Sequence, residues 1–242
     1  MADDEGLVSK SGSPIFLHKE RERPLQPAAG SEDTEQIQKH IERHLGPVES
    51  VWHELVSDLV HIDVHYIKPT PERNVHTFVS TGMSDLPMSA PEGSEGSKYA
   101  ELLVTLPAEW PVSEDDFKNE KNYWPIGALK WLARFPYEYE TWLWSGHTVP
   151  HGNPPGPYHP STRFVGAIIA PPVTVSPEFL SFRCSPDKEV SFFSVIPLYP
   201  EEMDLRLRKG SDALFDLFAK SGVNEIIDIQ RKNVAKKWWR LS

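Results

Sequence analysis

The stretch VHIDVHYI, residues 60–67, alternates between apolar and polar side chains. Four apolar residues share one face: Val60, Ile62, Val64 and Tyr66. Three polar residues share the other: His61, Asp63 and His65. This period of two predicts a β-strand with one buried face and one polar outer face. Other segments of the chain show comparable patterns.

Further strand patterns occupy four segments: 75–81, 99–106, 164–170 and 189–196. Apolar spacing, capping residues and terminal glycines predict four helical segments: 35–45, around 51–59, 125–135 and 211–222. The third helix carries Pro125 in its first turn and is expected to end before Pro136. Strands cluster early and late with helices between them, without regular βαβ alternation. This order predicts an α+β domain, with a mixed, mainly antiparallel sheet and packed helices.

The length of 242 residues is near the upper limit for one hydrophobic core, so we expect a single domain over residues 33–242. Residues 1–32 are polar and rich in Gly, Ser and Pro, which predicts a flexible tail that is dispensable for folding. The single cysteine, Cys184, is expected to be a small core residue of a protein from a reducing compartment. No leader pattern or membrane-length apolar run is present, so we expect a cytoplasmic protein without membrane association.

The formal net charge of −10 favours basic partners and disfavours nucleic acid. One local exception is RKNVAKKWWR, residues 231–240, where five basic residues and two tryptophans could stack on a nucleic acid. Because the overall charge is opposite, we favour an amphipathic C-terminal segment that docks its tryptophans on the domain.

The sequence His61-x-Asp63-x-His65 resembles a metal-ligand pattern. On an extended strand, however, His61 and His65 lie about 13 Å apart, which is too far for two imidazoles on one zinc ion. We therefore favour a polar outer face on which Asp63 hydrogen-bonds a neighbouring histidine or loop backbone. Neither a metal nor another cofactor is predicted.

A second histidine-rich stretch is SGHTVPHGNPPGPYHP, residues 145–160. His147 and His151 have helical ligand spacing, but the prolines and glycines around them exclude a helix. A proline-stiffened binding loop is favoured over a metal site. No catalytic serine elbow occurs, and the acidic groups at 114–116 and 201–202 are typical of solvated helix starts. A non-enzymatic protein is therefore favoured, and a metal-dependent hydrolase using His61, Asp63, His147 and His151 is the alternative.

Between these features lies PYEYETWLWSGHTVPHG, residues 136–152, which is rich in aromatic side chains. Four of them fall within eight residues: Tyr137, Tyr139, Trp142 and Trp144. We expect some of them in the core and the others to be surface anchors for a partner. A histidine beside such anchors, His147, would make binding depend on pH between about 5 and 8.

Several ordered motifs resemble the Suppressor of fused family. They are HIDVHYIKPTPERNVHTFVSTGMSDLPM (61–88), YAELLVTLPAEWP (99–111), WPIGALKWLARF (124–135) with a later SGH, PLYPEEMDL (197–205) and IIDIQRKNV (226–234). The resemblance covers about residues 35–237. It implies a non-enzymatic protein-binding domain of mixed α/β structure. Animal members carry a second domain and hold a peptide of a transcription factor as an added strand. This chain is similar to the single-domain bacterial type, some members of which are immunity proteins against toxins.

The resemblance also implies where a partner would bind. In animal members, an aromatic residue after Ala-Arg and an acid after Ser-Gly touch the peptide; the matching residues here are Phe135 and His147. The acid is replaced, so we do not expect the animal partner. Six residues are predicted to bind a partner protein: Phe135, Tyr137, Tyr139, His147, His151 and Asp63. The expected partner is a basic toxin. In the alternative, this protein is a regulator that sequesters a transcription factor.

Overall fold

The computed structural model describes residues 7–17, 33–53 and 60–236. Four α-helices lie among them: α1 (Asp33–Leu45), α2 (Glu120–Glu138), α3 (Pro200–Lys209) and α4 (Ser211–Ser221). Eight strands accompany them: β1 (Val48–Trp52), β2 (Asp63–Ile67), β3 (Val75–Thr81), β4 (Ala100–Pro107), β5 (Thr148–Pro150), β6 (Gly166–Ala170), β7 (Ser181–Ser185) and β8 (Lys188–Leu198). The predicted α+β class is confirmed.

The strands form one sheet in the order β1-β2-β3-β4-β8-β6-β5, and β7 pairs with β8 beside this path. Neighbouring strands are antiparallel except for β4 and β8, which run parallel. The mixed, mainly antiparallel sheet expected from the sequence is therefore present. The short strand β5 lies at one edge of the sheet and follows His147 directly.

Helices cover the sheet on both faces. On one face α2 packs over Phe78, Leu102 and Val104, which belong to the largest hydrophobic cluster. On the other face α1 packs over Val79 and Leu103, the neighbours of those residues along β3 and β4. Helices α3 and α4 cover the far part of this second face. Because side chains alternate along a strand, the central strands are buried on both sides.

Coverage of both faces corrects the expectation of a polar outer face on the first strand. Asp63 and His65 are buried, with 9% and 1% of their surfaces exposed. Ile67, on the same face, packs with α1. The alternation of residues 60–67 correctly predicted which side chains share a face. It did not show that a helix closes over the polar one.

Two helix predictions also need correction. Val51 and Trp52 belong to β1, so a helix around 51–59 is wrong at its start, while residues 54–59 lie outside the described part. Helix α2 begins at Glu120, where the Asn119 side chain accepts a hydrogen bond from the Lys121 N–H. It also continues through Pro136, because a proline near a helix end removes a single backbone hydrogen bond.

Two acidic groups were expected to be solvated helix starts. Glu114 and Asp115 are exposed, and the half-buried Asp116 begins a short 3-10 helix, Asp116–Lys118. Glu201 and Glu202 do begin α3, but the Glu202 side chain is fully buried. The expectation is therefore wrong for Glu202, whose charge is met by Arg231 at 2.6 Å.

Described segments near both ends of the sequence contact the helices of the second face. Within residues 7–17, Ser11 donates its N–H to the Leu207 carbonyl of α3. At the other end, Val234 and Ala235 pack in the cluster of α3 and α4. The tryptophan pair of the basic segment lies outside the described residues. In the described ranges, no helix combines the length and the apolar composition that crossing a membrane requires.

Candidate protein-binding surface

An aromatic row follows the C-terminal half of α2. Trp131, Phe135 and Tyr139 are spaced four residues apart, which places them on one side of the helix. Their ring centroids are separated by 5.6 Å and 4.7 Å along the row. Trp131 and Tyr139 are partly exposed, whereas Phe135 is 7% exposed. The row therefore presents two aromatic surfaces on a buried support.

The segment after α2 carries a second aromatic pair, Trp142 and His147. Their rings meet edge to face, with centroids 5.0 Å apart. The His147 Nδ1 accepts a hydrogen bond from the Trp144 N–H at 3.3 Å, which requires an unprotonated Nδ1. Burial lowers the pKa of His147 below its ordinary value, a contact with the Trp142 backbone opposes this, and Arg206 lowers it further. Near neutral pH this side chain is thus held in its neutral form.

His151 lies in the proline-rich loop and contacts the Trp131 end of the aromatic row. Its Nδ1 lies 3.1 Å from the Gly156 carbonyl, so the protonated Nδ1 donates across the loop. Its ring meets Trp131 edge to face at 6.2 Å and lies 4.5 Å from the ring of Tyr158. The histidine-rich loop is consequently fastened to the aromatic row.

Strand β5 gives this surface an edge with backbone hydrogen-bonding groups. Val149 pairs with Ala167 of β6, and the Ile169 N–H bonds to the His147 carbonyl. In an antiparallel ladder the intervening residue, Thr148, directs its N–H and C=O away from the neighbouring strand. No strand of the described chain pairs with β5 on that outer side. The edge can therefore accept an added strand.

A segment near the N-terminus lies beside this edge. The Phe16 ring packs edge to face on Trp142, with centroids 5.1 Å apart. Nearby, Arg206 of α3 donates two hydrogen bonds to the Gly146 carbonyl, at 3.2 and 3.1 Å. These contacts fix the backbone where the Ser145-Gly146 turn leads into His147 and β5.

The structure brings some of the predicted partner-binding residues together. Phe135 contacts Tyr139 in the aromatic row, His151 contacts Trp131 of the same row, and His147 contacts Trp142 just before β5. Tyr137 is 8% exposed and its hydroxyl donates to the carbonyls of Met83 and Leu86. Asp63 lies on β2 and contacts His53 and His61 instead. A role of these six residues in binding stays a prediction.

The hydrolase alternative required His61, Asp63, His147 and His151 in one place. Among the described residues, one group of potential metal ligands contains three or more members, and it joins His53 to His61 and Asp63. Neither His147 nor His151 is part of it. Burial also raises the pKa of the Cys184 thiol to about 11, which keeps this partly buried side chain protonated.

Glu101, which no sequence pattern singled out, is fully buried in β4. Its carboxylate accepts hydrogen bonds from the Ser80 hydroxyl at 2.6 Å and from the Ser84 hydroxyl and N–H at 2.7 and 2.9 Å. These bonds hold the turn at residues 82–86. The Met83 and Leu86 carbonyls of this turn are the hydrogen-bond acceptors for the Tyr137 hydroxyl. Glu101 therefore supports the end of α2 from below, and burial raises its pKa to about 7.

Replacing Glu101 by glutamine should make stability less dependent on pH. Between about pH 4.5 and 7 the folded state keeps a proton that the unfolded state releases, so wild-type stability falls as pH rises through this window. Glutamine avoids this loss, and the serine hydroxyls can accept from its amide. From pH 5 to pH 8, the unfolding free energy of E101Q minus that of wild type should increase by up to about 3 kcal/mol.

Urea unfolding at the two pH values measures this gain. The exposed Glu114 is the matched control, and E114Q should keep a constant difference from wild type. A difference between E101Q and wild type that is equally constant would show that Glu101 ionises as it does in the unfolded chain.

Comparison with known proteins identifies the class of this domain. The family model "Suppressor of fused protein (SUFU)" matches residues 58–232, well over half of the chain. The chain therefore belongs to the Suppressor of fused family. A search of curated proteins gave no match.

Solved structures share the fold at low sequence identity. A SUFU homologue from Neisseria gonorrhoeae FA 1090 has a TM-score of 0.62 at 17% identity, with 85% of this chain and 98% of that chain covered. The structure of the Sufu–Fu complex gives 0.59 at 14% identity and covers 85% and 93%. Drosophila Suppressor of Fused gives 0.51 at 14% identity and covers 74% of this chain and 44% of that one.

Proposed function

We propose that this domain binds a partner protein by adding an extended segment of that partner to the edge of the sheet at β5. The observation that carries the proposal is the position of this edge, which directly follows His147 and lies beside the aromatic surface of α2. Backbone groups of Thr148 would hold the segment, while aromatic side chains would select it. The solved Sufu–Fu complex supports a protein partner for a domain of this fold.

The partner is proposed to be basic. The chain carries a formal net charge of −10, and opposite charges accelerate encounter and favour the correct orientation. Glu138 and Glu140 place two acids next to the aromatic row. A basic toxin masked by this domain meets these requirements, and its masking would make the domain a non-enzymatic cytoplasmic immunity protein. A sequestered transcription factor is the second candidate, because it too would carry basic segments.

The test compares capture of a partner from the native cell by wild type and by the double variant Tyr139→Ala/His147→Ala. Both side chains are partly exposed, so the variant should remain folded. Loss of two anchors should weaken binding of the captured protein by at least about 2 kcal/mol, or roughly 30-fold, in a calorimetric titration. Identification of the captured protein then distinguishes a toxin from a DNA-binding regulator.

Tyr123→Ala is the matched control, since it removes a partly buried aromatic side chain from the opposite end of the same helix. It should bind as wild type does. If the double variant binds within about 0.5 kcal/mol of wild type, the partner occupies another surface. Circular dichroism and thermal unfolding confirm that each variant is folded.

A further inference from the structure

Three potential metal ligands converge where β1 meets β2. Trp52 pairs with Val64 in this antiparallel hairpin, so the next residue, His53, comes to lie opposite Asp63. His61 precedes Asp63 by two residues and lies on the same side of the chain. One ligand atom from each of the three side chains, an imidazole nitrogen or a carboxylate oxygen, can be chosen so that all lie within 4.8 Å of one another.

The Asp63 carboxylate is the centre of this cluster. It is 9% exposed, and its Oδ2 lies 2.9 Å from the His53 Nδ1. Its Oδ1 lies 2.9 Å from the His61 Nε2, yet this buried oxygen has no hydrogen bond of acceptable geometry. A buried carboxylate oxygen without a hydrogen bond is costly, and a cation between the three side chains would remove that cost.

We propose that His53, His61 and Asp63 form a binding site for a divalent cation of the zinc class. Two imidazoles and one carboxylate form a donor set of the kind that catalytic and other open zinc sites use, with a further position for water or an external ligand. With bonds of 2.0–2.1 Å, tetrahedral ligands lie about 3.4 Å apart. The present spacing of up to 4.8 Å closes to this value through small side-chain rotations.

The surroundings of the cluster allow a cation to enter. The His53 side chain is 66% exposed, so it can rotate and gives the site an opening to solvent. The net charge of −10 favours the approach of cations. Burial lowers the pKa of Lys130 of α2, and the nearby Asp63 charge partly opposes this shift. A lysine this close to Asp63 opposes the binding of a cation. The site lies away from the histidines of the protein-binding surface and does not depend on the proposed partner.

Zinc titration of the full chain, purified without a histidine tag and stripped with a chelator, tests this site. We expect one zinc ion per chain by calorimetry, and a melting temperature that rises with zinc concentration because the ion binds the folded state. His53→Ala should weaken binding by about a hundredfold or more, since loss of merely outer-shell partners already costs 10–100-fold. His53 is exposed, so this variant should fold normally without zinc.

His159→Ala is the matched control, because His159 is an imidazole whose Nδ1 contacts its neighbour Ser161. It should bind zinc as wild type does. Co²⁺ in place of Zn²⁺ gives visible absorption bands that should disappear in Asp63→Asn and His53→Ala. The proposal is overturned if wild type binds no zinc, or if His53→Ala binds it as tightly as wild type; the cluster is then a hydrogen-bonded group only.

Discussion

Replacing Arg231 by methionine is expected to lower the free energy of unfolding by about 3–5 kcal/mol, because it leaves the buried carboxylate of Glu202 without its countercharge. The Glu202 side chain is fully buried, and Arg231 donates to both of its oxygens, at 2.7 and 2.6 Å. The guanidinium also donates to the Pro197 carbonyl at 2.8 Å. Urea unfolding of the two proteins measures the loss.

The surroundings explain why this ion pair is so important. Glu202 also accepts the backbone N–H groups of Tyr199 and Val234, so it joins the end of β8 to the C-terminal segment. The Arg231 guanidinium lies 4.8 Å from the ring centroid of Tyr199 and 5.0 Å from that of Phe164. Methionine can fill part of the aromatic cleft, but it carries no donors for the carboxylate.

Two further variants separate the buried charge from other effects. Arg183→Met removes the arginine of an exposed ion pair with Glu189, and it should cost about 0–1 kcal/mol. Combining R231M with Glu202→Met removes both buried charges and should restore part of the lost stability. An R231M protein within 1 kcal/mol of wild type would mean that water reaches Glu202 in the folded state.

The fold could be predicted largely because its strands follow local rules. Residues 75–81 were predicted as a strand with the bounds that β3 has, since β-branched and aromatic side chains there admit one structure. Strands β1, β5 and β7 were missed because each is short and lies at an edge or beside the main order of the sheet. Their pairing depends on partners that are distant in the sequence, which local periodicity does not contain.

The candidate sites were harder to predict, because burial depends on which helix covers which face. The alternation at 60–67 gave no sign that Asp63 and His65 would be buried. The distance between His61 and His65 along one strand argued against a metal site, because that distance takes no account of ligands from a neighbouring strand. His53 reaches Asp63 from the neighbouring strand, so a test of His61 and His65 alone could not find it. Tyr137 was likewise predicted to bind a partner. Because α2 continues past Pro136, its side chain instead lies toward the Met83 carbonyl.

Replacing Gly82 by alanine should lower the free energy of unfolding by at least about 4 kcal/mol, a loss that single substitutions reach only through severe local conflicts. Gly82 has φ of +98°, a conformation that already costs an L-residue about 1–2 kcal/mol. A Cβ atom there would also lie 1.9 Å from the His61 carbonyl oxygen, where no contact is tolerated. Because the carbonyl oxygen is a backbone atom and a Cβ has no rotatable bond of its own, relief requires the backbone before β2 to move away from the turn after β3. Chemical denaturation measures the loss of stability.

Gly222→Ala separates the two contributions. Gly222 also has a positive φ, +69°, but a Cβ there would have no heavy atom within 4 Å. This control should lose about 1–2 kcal/mol from conformation alone, and the remaining loss in Gly82→Ala then reports the contact with His61. If both variants lose the same amount, β2 accommodates the methyl group freely. The backbone of His61 would then not be held by close packing against Gly82, and another contact would have to place His61 beside Asp63.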